Sequence, residues 1–258
     1  AQRYKEEITE EIPEVDAVLG TTSYGDIVKA LNEAEAGHVF QEFKDINALP
    51  EDSGRRVITT GGHFGYLKIA EGCDKHCTYC IIPSLRGKFR SVPEERLLKQ
   101  AEYMASQGVR ELILVAQETT VYGTDLYGKK TLHILLKKLC QIKGIRWIRV
   151  LYCYPEEIYD ELIQVMKEEK KICHYLDLPI QHASDRILKR MGRRTTRKQL
   201  EDIIAKLRRE IPDIVLRTSL ITGFPGETQE DHEELMEFVD EMEFDRLGVF
   251  PYSQEEDT

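Results

Sequence analysis

The chain has 258 residues, 41% of them hydrophobic, and a formal charge of −10 from 36 basic and 46 acidic side chains. That length holds one large α/β domain, or one domain with a piece of another. No run of about eighteen apolar residues is present, which argues against a membrane-spanning helix, and the acidic balance argues against non-specific nucleic-acid binding. The start, Ala1-Gln2-Arg3-Tyr4, lacks both a Met and the layout of a signal peptide, so the chain reads as an excised fragment.

Residues 1–50 carry 4 basic and 11 acidic side chains, with a strand expected at Ala17–Leu19 and a helix at Tyr24–Ala36. Pro50 to Gly62 is polar and turn-rich and reads as a linker. From Tyr66 strands and helices alternate. The expected strands are Tyr66–Glu71, Glu111–Ala116, Arg146–Leu151, Tyr175–Leu178, Ile214–Thr222 and Arg246–Phe250. Helices are expected at Val92–Gln107, Thr131–Gln141, Pro155 to about Lys170, Ser184–Met191, Thr196–Arg209 and Thr228–Met242, with Ser184 and Thr196 as N-caps. Such alternation implies parallel strands with right-handed crossovers. Too few residues follow Phe64 for a closed eight-unit barrel of about 250 residues, so a partial (β/α)6 barrel is expected. Its chemistry should lie at the C-terminal strand ends. The domain reading is a short remnant of an N-terminal α/β domain at 1–50, a linker at 51–63 and the core domain at 64–258.

Six cysteines are present, three of them within eight positions: Cys73, Cys77 and Cys80. Clustered cysteines in a chain without a leader point to a reducing compartment, hence the cytoplasm, and to a metal site. The spacing C-x3-C-x2-C puts three thiolates on one loop after the first core strand. Three thiolates can hold three irons of a 4Fe–4S cubane and leave the fourth open. A zinc-stabilised, non-catalytic binding module is the competing reading, but structural zinc wants four ligands and only His76 stands near enough in sequence to be the fourth. Cys140, Cys153 and Cys173 read as ordinary buried residues.

Other strand ends carry further candidates. Gln117 and Glu118 follow the second core strand; Gln181, His182 and Ser184 follow the fourth; Gly223, Phe224, Pro225 and Gly226 follow the fifth. Glycines let a ligand approach the backbone. His182 is equally readable as structural or as a contact residue. Arg86, Lys88 and Arg90 stand beside the cysteines, and Arg190, Arg193, Arg194, Arg197 and Lys198 form a basic stretch. For most of these, a solvated face is the expectation over a contact with RNA.

The cysteine spacing, with Tyr79 before the last cysteine, resembles the radical S-adenosylmethionine superfamily. Lys68 to Cys73, Cys80 to Gly87 (CIIPSLRG), Pro179 to Leu188 (PIQHASDRIL) and Gly223 to Thr228 (GFPGET) resemble its methylthiotransferases. Gln181-His182-Ala183-Ser184, Val115 to Thr120 and Gly248 to Ser253 look like the branch that modifies an aspartate of small-subunit ribosomal protein twelve; a second branch modifies adenosine in tRNA. The resemblance implies a cluster on Cys73, Cys77 and Cys80, with S-adenosylmethionine bound at its open iron. It further implies cofactor contacts from Tyr79, Gln117, Glu118, Gln181, Ser184, Gly223, Phe224, Pro225 and Gly226. One-electron cleavage would give a 5′-deoxyadenosyl radical, and a methylated sulfur would then reach the aspartate β-carbon. That sulfur comes, in such proteins, from a second 4Fe–4S cluster in an N-terminal domain, and residues 1–50 contain no cysteine. The fragment is therefore expected not to complete the reaction alone. The implied partners are the ribosomal protein or the assembled small subunit, and an electron-donor protein.

Overall fold

A computed structural model describes residues 2–49, 56–256 and 258; positions 50–55 of the expected linker lie outside the described residues. In chain order the N-terminal part gives α1 (Lys5–Glu11), β1 (Ala17–Leu19), α2 (Ile27–Glu35) and β2 (Phe40–Glu42). Strands β1 and β2 pair in parallel, with α2 as their crossover. The helix expected at Tyr24–Ala36 opens with a 3-10 turn at Tyr24–Asp26.

The core follows as β3 (Phe64–Lys68), β4 (Ala70–Glu71), α3 (Ile82–Arg86), β5 (Arg90–Ser91), α4 (Glu94–Ser106), β6 (Glu111–Val115) and α5 (Thr124–Tyr127). Next come α6 (Leu132–Cys140), β7 (Trp147–Val150), α7 (Asp160–Glu168), β8 (Ile172–Asp177), α8 (Asp185–Arg190), α9 (Arg197–Glu210), β9 (Val215–Thr222), α10 (Gln229–Met242) and β10 (Arg246–Pro251). Six strands form one parallel sheet in the order β10-β9-β8-β7-β6-β3. The expected partial (β/α)6 barrel is thus the observed architecture. Among the described residues β3 and β10 are its open edges.

Two local expectations need correction. Tyr66–Glu71 is not one strand: the chain leaves the sheet after Lys68, and Ala70–Glu71 pairs antiparallel with Arg90–Ser91. This small hairpin fixes both ends of the cysteine-bearing segment, which sequence periodicity over two residues could not reveal. Pro155 opens a 3-10 turn (Pro155–Glu157), and the helix proper begins only at Asp160.

Alternate residues of each strand point outward under the helices, and they carry the core. Leu112, Leu114, Ile148, Val150, Leu176 and Leu216 are buried in one layer with Leu97, Leu136, Met166, Ile204, Leu207 and Phe238 from the surrounding helices. Truncating Phe238, which is wholly buried in α10, to alanine should cost about 3–5 kcal/mol, read as a lowered urea midpoint at unchanged slope.

The inner face differs from a closed barrel, where bulky apolar side chains dominate. Here it carries the ion pairs Arg149–Glu111 (2.7 Å) and Arg217–Asp177 (2.5 Å). The sheet does not close, so water reaches this face, and the two arginines are about one-third exposed. No helix among the described residues is long and apolar enough to cross a membrane.

Candidate functional site

Parallel strands with helical crossovers bring every C-terminal strand end to one side, and the candidate residues collect there. The segment 72–81 leaves β4 and returns through α3 to β5. Its entry depends on Gly72, which has φ +75° and lies against the backbone carbonyls of Gly87 and Lys88. Cys73 N donates to Gly87 O at 3.2 Å, and Phe89 N donates to the Asp74 carboxylate at 3.0 Å, so the loop is tied across its base.

The far side of the loop rests on the turn after α8. Thr78 N donates to Met191 O (3.0 Å), and Thr78 Oγ1 donates to Arg190 O (2.9 Å). All three thiols are free; Cys73 and Cys77 are buried and Cys80 is half-buried. Burial pushes the Cys73 thiol up to about 11, with Glu118, Cys77 and Cys80 adding to the shift, and burial likewise raises Cys80. A metal must therefore displace protons to bind here. Among the described residues no three His, Cys, Asp or Glu side chains are placed to hold a single metal ion. A cubane asks for a different arrangement, since each thiolate takes its own iron.

Around the loop, Tyr154 after β7 brings its hydroxyl to 3.5 Å from Cys77 Sγ. Tyr79 meets Phe224 edge-on at 6.4 Å, and Phe224 meets Tyr252 at 5.3 Å, forming with Ile187 and Met191 a small apolar cluster between the cysteines and the glycine loop. Gly223 has φ +74° and open space where a Cβ would stand, whereas Gly226 lies under the Arg190 guanidinium.

The wall after β6 holds Gln117 and Glu118. Glu118 is 1% exposed; one oxygen accepts from Thr120 N (2.9 Å) and Thr120 Oγ1, and Thr120 Oγ1 also accepts from Tyr154 N (3.3 Å). Glu118 Oε2 and Gln117 Oε1 are buried without a hydrogen-bond partner. Burial pushes the Glu118 carboxyl up to about 7, against the Thr120 hydrogen bonds that lower it. Two orphaned acceptors at a strand end suit a ligand that brings donors, such as the ammonium of an amino acid. The donor set and these acceptors fit a cluster with S-adenosylmethionine beside it.

After β8, Gln181 takes φ +74°, and its backbone bridges to β9 through Gln181 N to Ser219 O (2.9 Å) and Ile221 N to Gln181 O (2.8 Å). Thr196 caps α9 with its side chain, as expected. Ser184 does not do the same for α8: its hydroxyl donates to the buried Asp231 carboxylate at 2.7 Å. Asp231 also pairs with Arg186 and closes the capping box of α10 with Thr228. Burial would raise the Asp231 carboxyl, but these hydrogen bonds outweigh it and hold the group below the usual carboxylate range. His182 is completely buried; its Nδ1 accepts from Ser184 N (3.0 Å), which leaves the proton on Nε2, 3.7 Å from Glu227 Oε1. Burial lowers its pKa, against the opposing pull of Glu227, and Nε2 is buried without a hydrogen-bond partner.

Several basic residues lie deeper than a solvated face allows. Arg193 has a side chain only 1% exposed, Arg197 is held among Glu201, Glu234, Glu237 and Glu241, and Arg90 donates to the carbonyls of Ala48, Arg86 and Lys88. Sequence reasoning does not single out Tyr154, Arg193, Glu227 or Asp231 as site residues. Tyr154, Arg193 and Glu227 lie just after a strand or helix, where a turn residue and a site residue look the same, and Asp231 lies in the first turn of α10, where it reads as a capping residue. Cys140 and Cys153 are buried, as expected, whereas Cys173 is only half-buried, and Cys153 contacts Thr119 Oγ1 at 3.3 Å.

The model of the radical SAM superfamily matches residues 67–239. The chain belongs to the radical SAM superfamily. Membership in this family implies a 4Fe–4S cluster and S-adenosylmethionine. Among curated relatives, the ribosomal protein uS12 methylthiotransferase RimO of Lachnoclostridium phytofermentans is 67% identical over 258 residues, covering 100% of this chain and 59% of that protein. The protein of the same name from Clostridioides difficile is 52% identical over 258 residues, covering 58% of its length. The chain therefore spans somewhat more than half the length of these relatives. Among solved structures, the radical S-adenosylmethionine methyltransferase TsrM from Kitasatospora setae superposes with TM-score 0.61 at 17% identity, over 74% of this chain and 37% of that one. SuiB from Streptococcus suis gives 0.54 at 15% identity over 98% of this chain and 52% of that one. At these identities the structural likeness speaks for the radical SAM fold alone.

Proposed function

We propose that this chain is the radical SAM core of a methylthiotransferase that modifies an aspartate β-carbon of ribosomal protein uS12. The observation that carries the chemistry is the Cys73, Cys77 and Cys80 loop at the C-terminal mouth of a parallel partial barrel. The substrate reading rests on the names of relatives 50–67% identical across the whole chain.

In this reading the three thiolates hold a 4Fe–4S cluster. When bound, that group supplies one-electron reductive cleavage of S-adenosylmethionine and so the radical that abstracts hydrogen. Glu118 and Gln117 receive the cofactor's ammonium with their orphaned oxygens. Gln181 and the loop from Gly223 to Gly226, open at Gly223, line the opposite wall, with Tyr79 and Phe224 as its apolar side. Ser184 acts through Asp231, which anchors the loop after β8 to α10. The surrounding apolar cluster excludes water from the reacting centre.

Residues 1–50 form the remnant of an N-terminal domain, 51–63 the linker and 64–258 the core; the separate β1-α2-β2 unit supports this division. A second cluster, an electron-donor protein and the small ribosomal subunit complete the system, and the cytoplasm is its location. A zinc-held binding module would need four ligands about one ion, and the described residues offer no such group.

The test is anaerobic reconstitution with iron and sulfide, followed by S-adenosylmethionine and a strong reductant. 5′-Deoxyadenosine should form, and Cys77→Ala should reduce it to background with loss of iron. A protein that binds one zinc and takes up no sulfide would overturn the reading. With the full-length protein, methylthiolated uS12 is the expected product; methylthiolated tRNA would redirect the substrate assignment.

A further inference from the structure

The turn after α8 forms the seat of the cysteine loop, and the residue that follows it is a buried cation. A Cβ on Gly192 (φ +72°) would stand 3.3 Å from His76 O and 3.6 Å from Cys77 Cα, so this turn and the loop are in close contact. From there Arg193 points inward. Its guanidinium carbon lies 4.2 Å from the centre of the Tyr154 ring, and Nη2 donates to Pro179 O at 3.2 Å. Glu156 Oε2 pairs with it as an ion at 3.6 Å from Nη2, too long for a hydrogen bond. Nε and Nη1 are buried without any partner. The same Tyr154 that lies under the cation brings its hydroxyl to Cys77 Sγ.

Arginine stays charged in proteins, and buried unpaired donors are costly. Such an arrangement is expected where negative charge arrives to meet them. Lys75 also approaches the Tyr154 ring, at 5.1 Å, but it is paired with Glu157. Of the two cations on this ring, Arg193 is the one with buried nitrogens, Nε and Nη1, that meet no hydrogen-bond acceptor.

We propose that Arg193 and Tyr154 tune the cluster, an inference that rests on the reading of the cysteine loop given above. Reduction adds one negative charge to an already anionic group. A fixed cation and an O–H donor beside one of its thiolates stabilise the reduced form more than the oxidised form, and so raise the reduction potential. Neither residue needs to touch the substrate, and both act through the surroundings of Cys77.

The experiment is a redox titration of the reconstituted protein, following the reduced cluster by electron paramagnetic resonance, with iron content measured on every sample. Tyr154→Phe and Arg193→Met should each make the potential more negative by at least a tenfold change in the reduction equilibrium, about 59 mV for one electron. Arg193→Lys should recover most of the shift, and Arg194→Met, which removes an exposed charge, should leave the potential unchanged. Unaltered potentials in Tyr154→Phe and Arg193→Met at full iron content would overturn the inference. If Arg193→Met fails to fold or to hold iron, Tyr154→Phe decides alone. Failure of the unsubstituted protein to form a cluster would instead remove the reading on which this rests.

Discussion

Replacing Gly72 by alanine is expected to destabilise the protein by about 3 kcal/mol or more and to abolish iron uptake. Two effects add. The backbone is in the left-handed region at φ +75°, which costs an L-residue about 1–2 kcal/mol. The added Cβ would also collide with the Lys88 carbonyl oxygen and stand 2.5 Å from that of Gly87. Those are backbone atoms of the segment entering β5, and the β4–β5 hairpin cannot yield without releasing the loop. Gly223→Ala is the control: its φ is also positive, at +74°, but nothing lies within 4 Å of the new Cβ. It should cost only about 1 kcal/mol. Thermal unfolding and iron stoichiometry read both variants. Equal behaviour of the two would show that the close approach at Gly72 carries no weight.

Glu118→Gln should make the protein more stable above neutral pH while weakening its hold on S-adenosylmethionine. The folded-state pKa of Glu118, about 7, lies above the ordinary value of 4.5. The native state therefore binds this proton more tightly than the unfolded state. Its contribution is full below about pH 4.5 and is lost as pH rises to about 7, after which the dependence is flat. The ceiling on that loss is about 3 kcal/mol. Glutamine stays neutral and removes the slope, so the difference between the two urea-unfolding series should grow from pH 5 to pH 8. The same change replaces a charged acceptor for the cofactor's ammonium by a neutral one. Losing a charged hydrogen bond of about 1.5–3 kcal/mol should weaken binding roughly 10- to 100-fold, measured by calorimetric titration of the reconstituted protein. Parallel stability curves would mean that Glu118 is ionised in the fold at neutral pH, and unchanged affinity would remove it from the cofactor wall.

The two variants act on opposite kinds of feature. Gly72 is constrained by its own positive φ and by the backbone carbonyls of Gly87 and Lys88. Glu118 owes its properties to burial, and in the sequence it is one polar residue after an apolar run. The orphaned oxygens of Gln117 and Glu118 are likewise invisible until the loops after β6 and β7 pack together, joined by Tyr154 N to Thr120 Oγ1.

Local pattern along the chain is enough to specify the alternation of strands and helices, the six-strand partial barrel and the side of the sheet on which chemistry collects. Periodicity, caps and the handedness of parallel crossovers are local properties summed over the chain. The cysteine loop is legible for the same reason, since its ligands lie within eight positions. Which basic residues are solvated and which are buried emerges only when distant elements pack. Arg193 and Arg194 are neighbours in sequence, yet one is buried against the Tyr154 ring and the other faces water. Packing also makes His182 wholly buried, turns Ser184 to Asp231 instead of to its own helix, and carries Tyr154 to Cys77. Each of those facts depends on contacts between residues 47 to 77 positions apart or on burial by distant elements, and no local pattern encodes a side chain's solvent exposure at a turn.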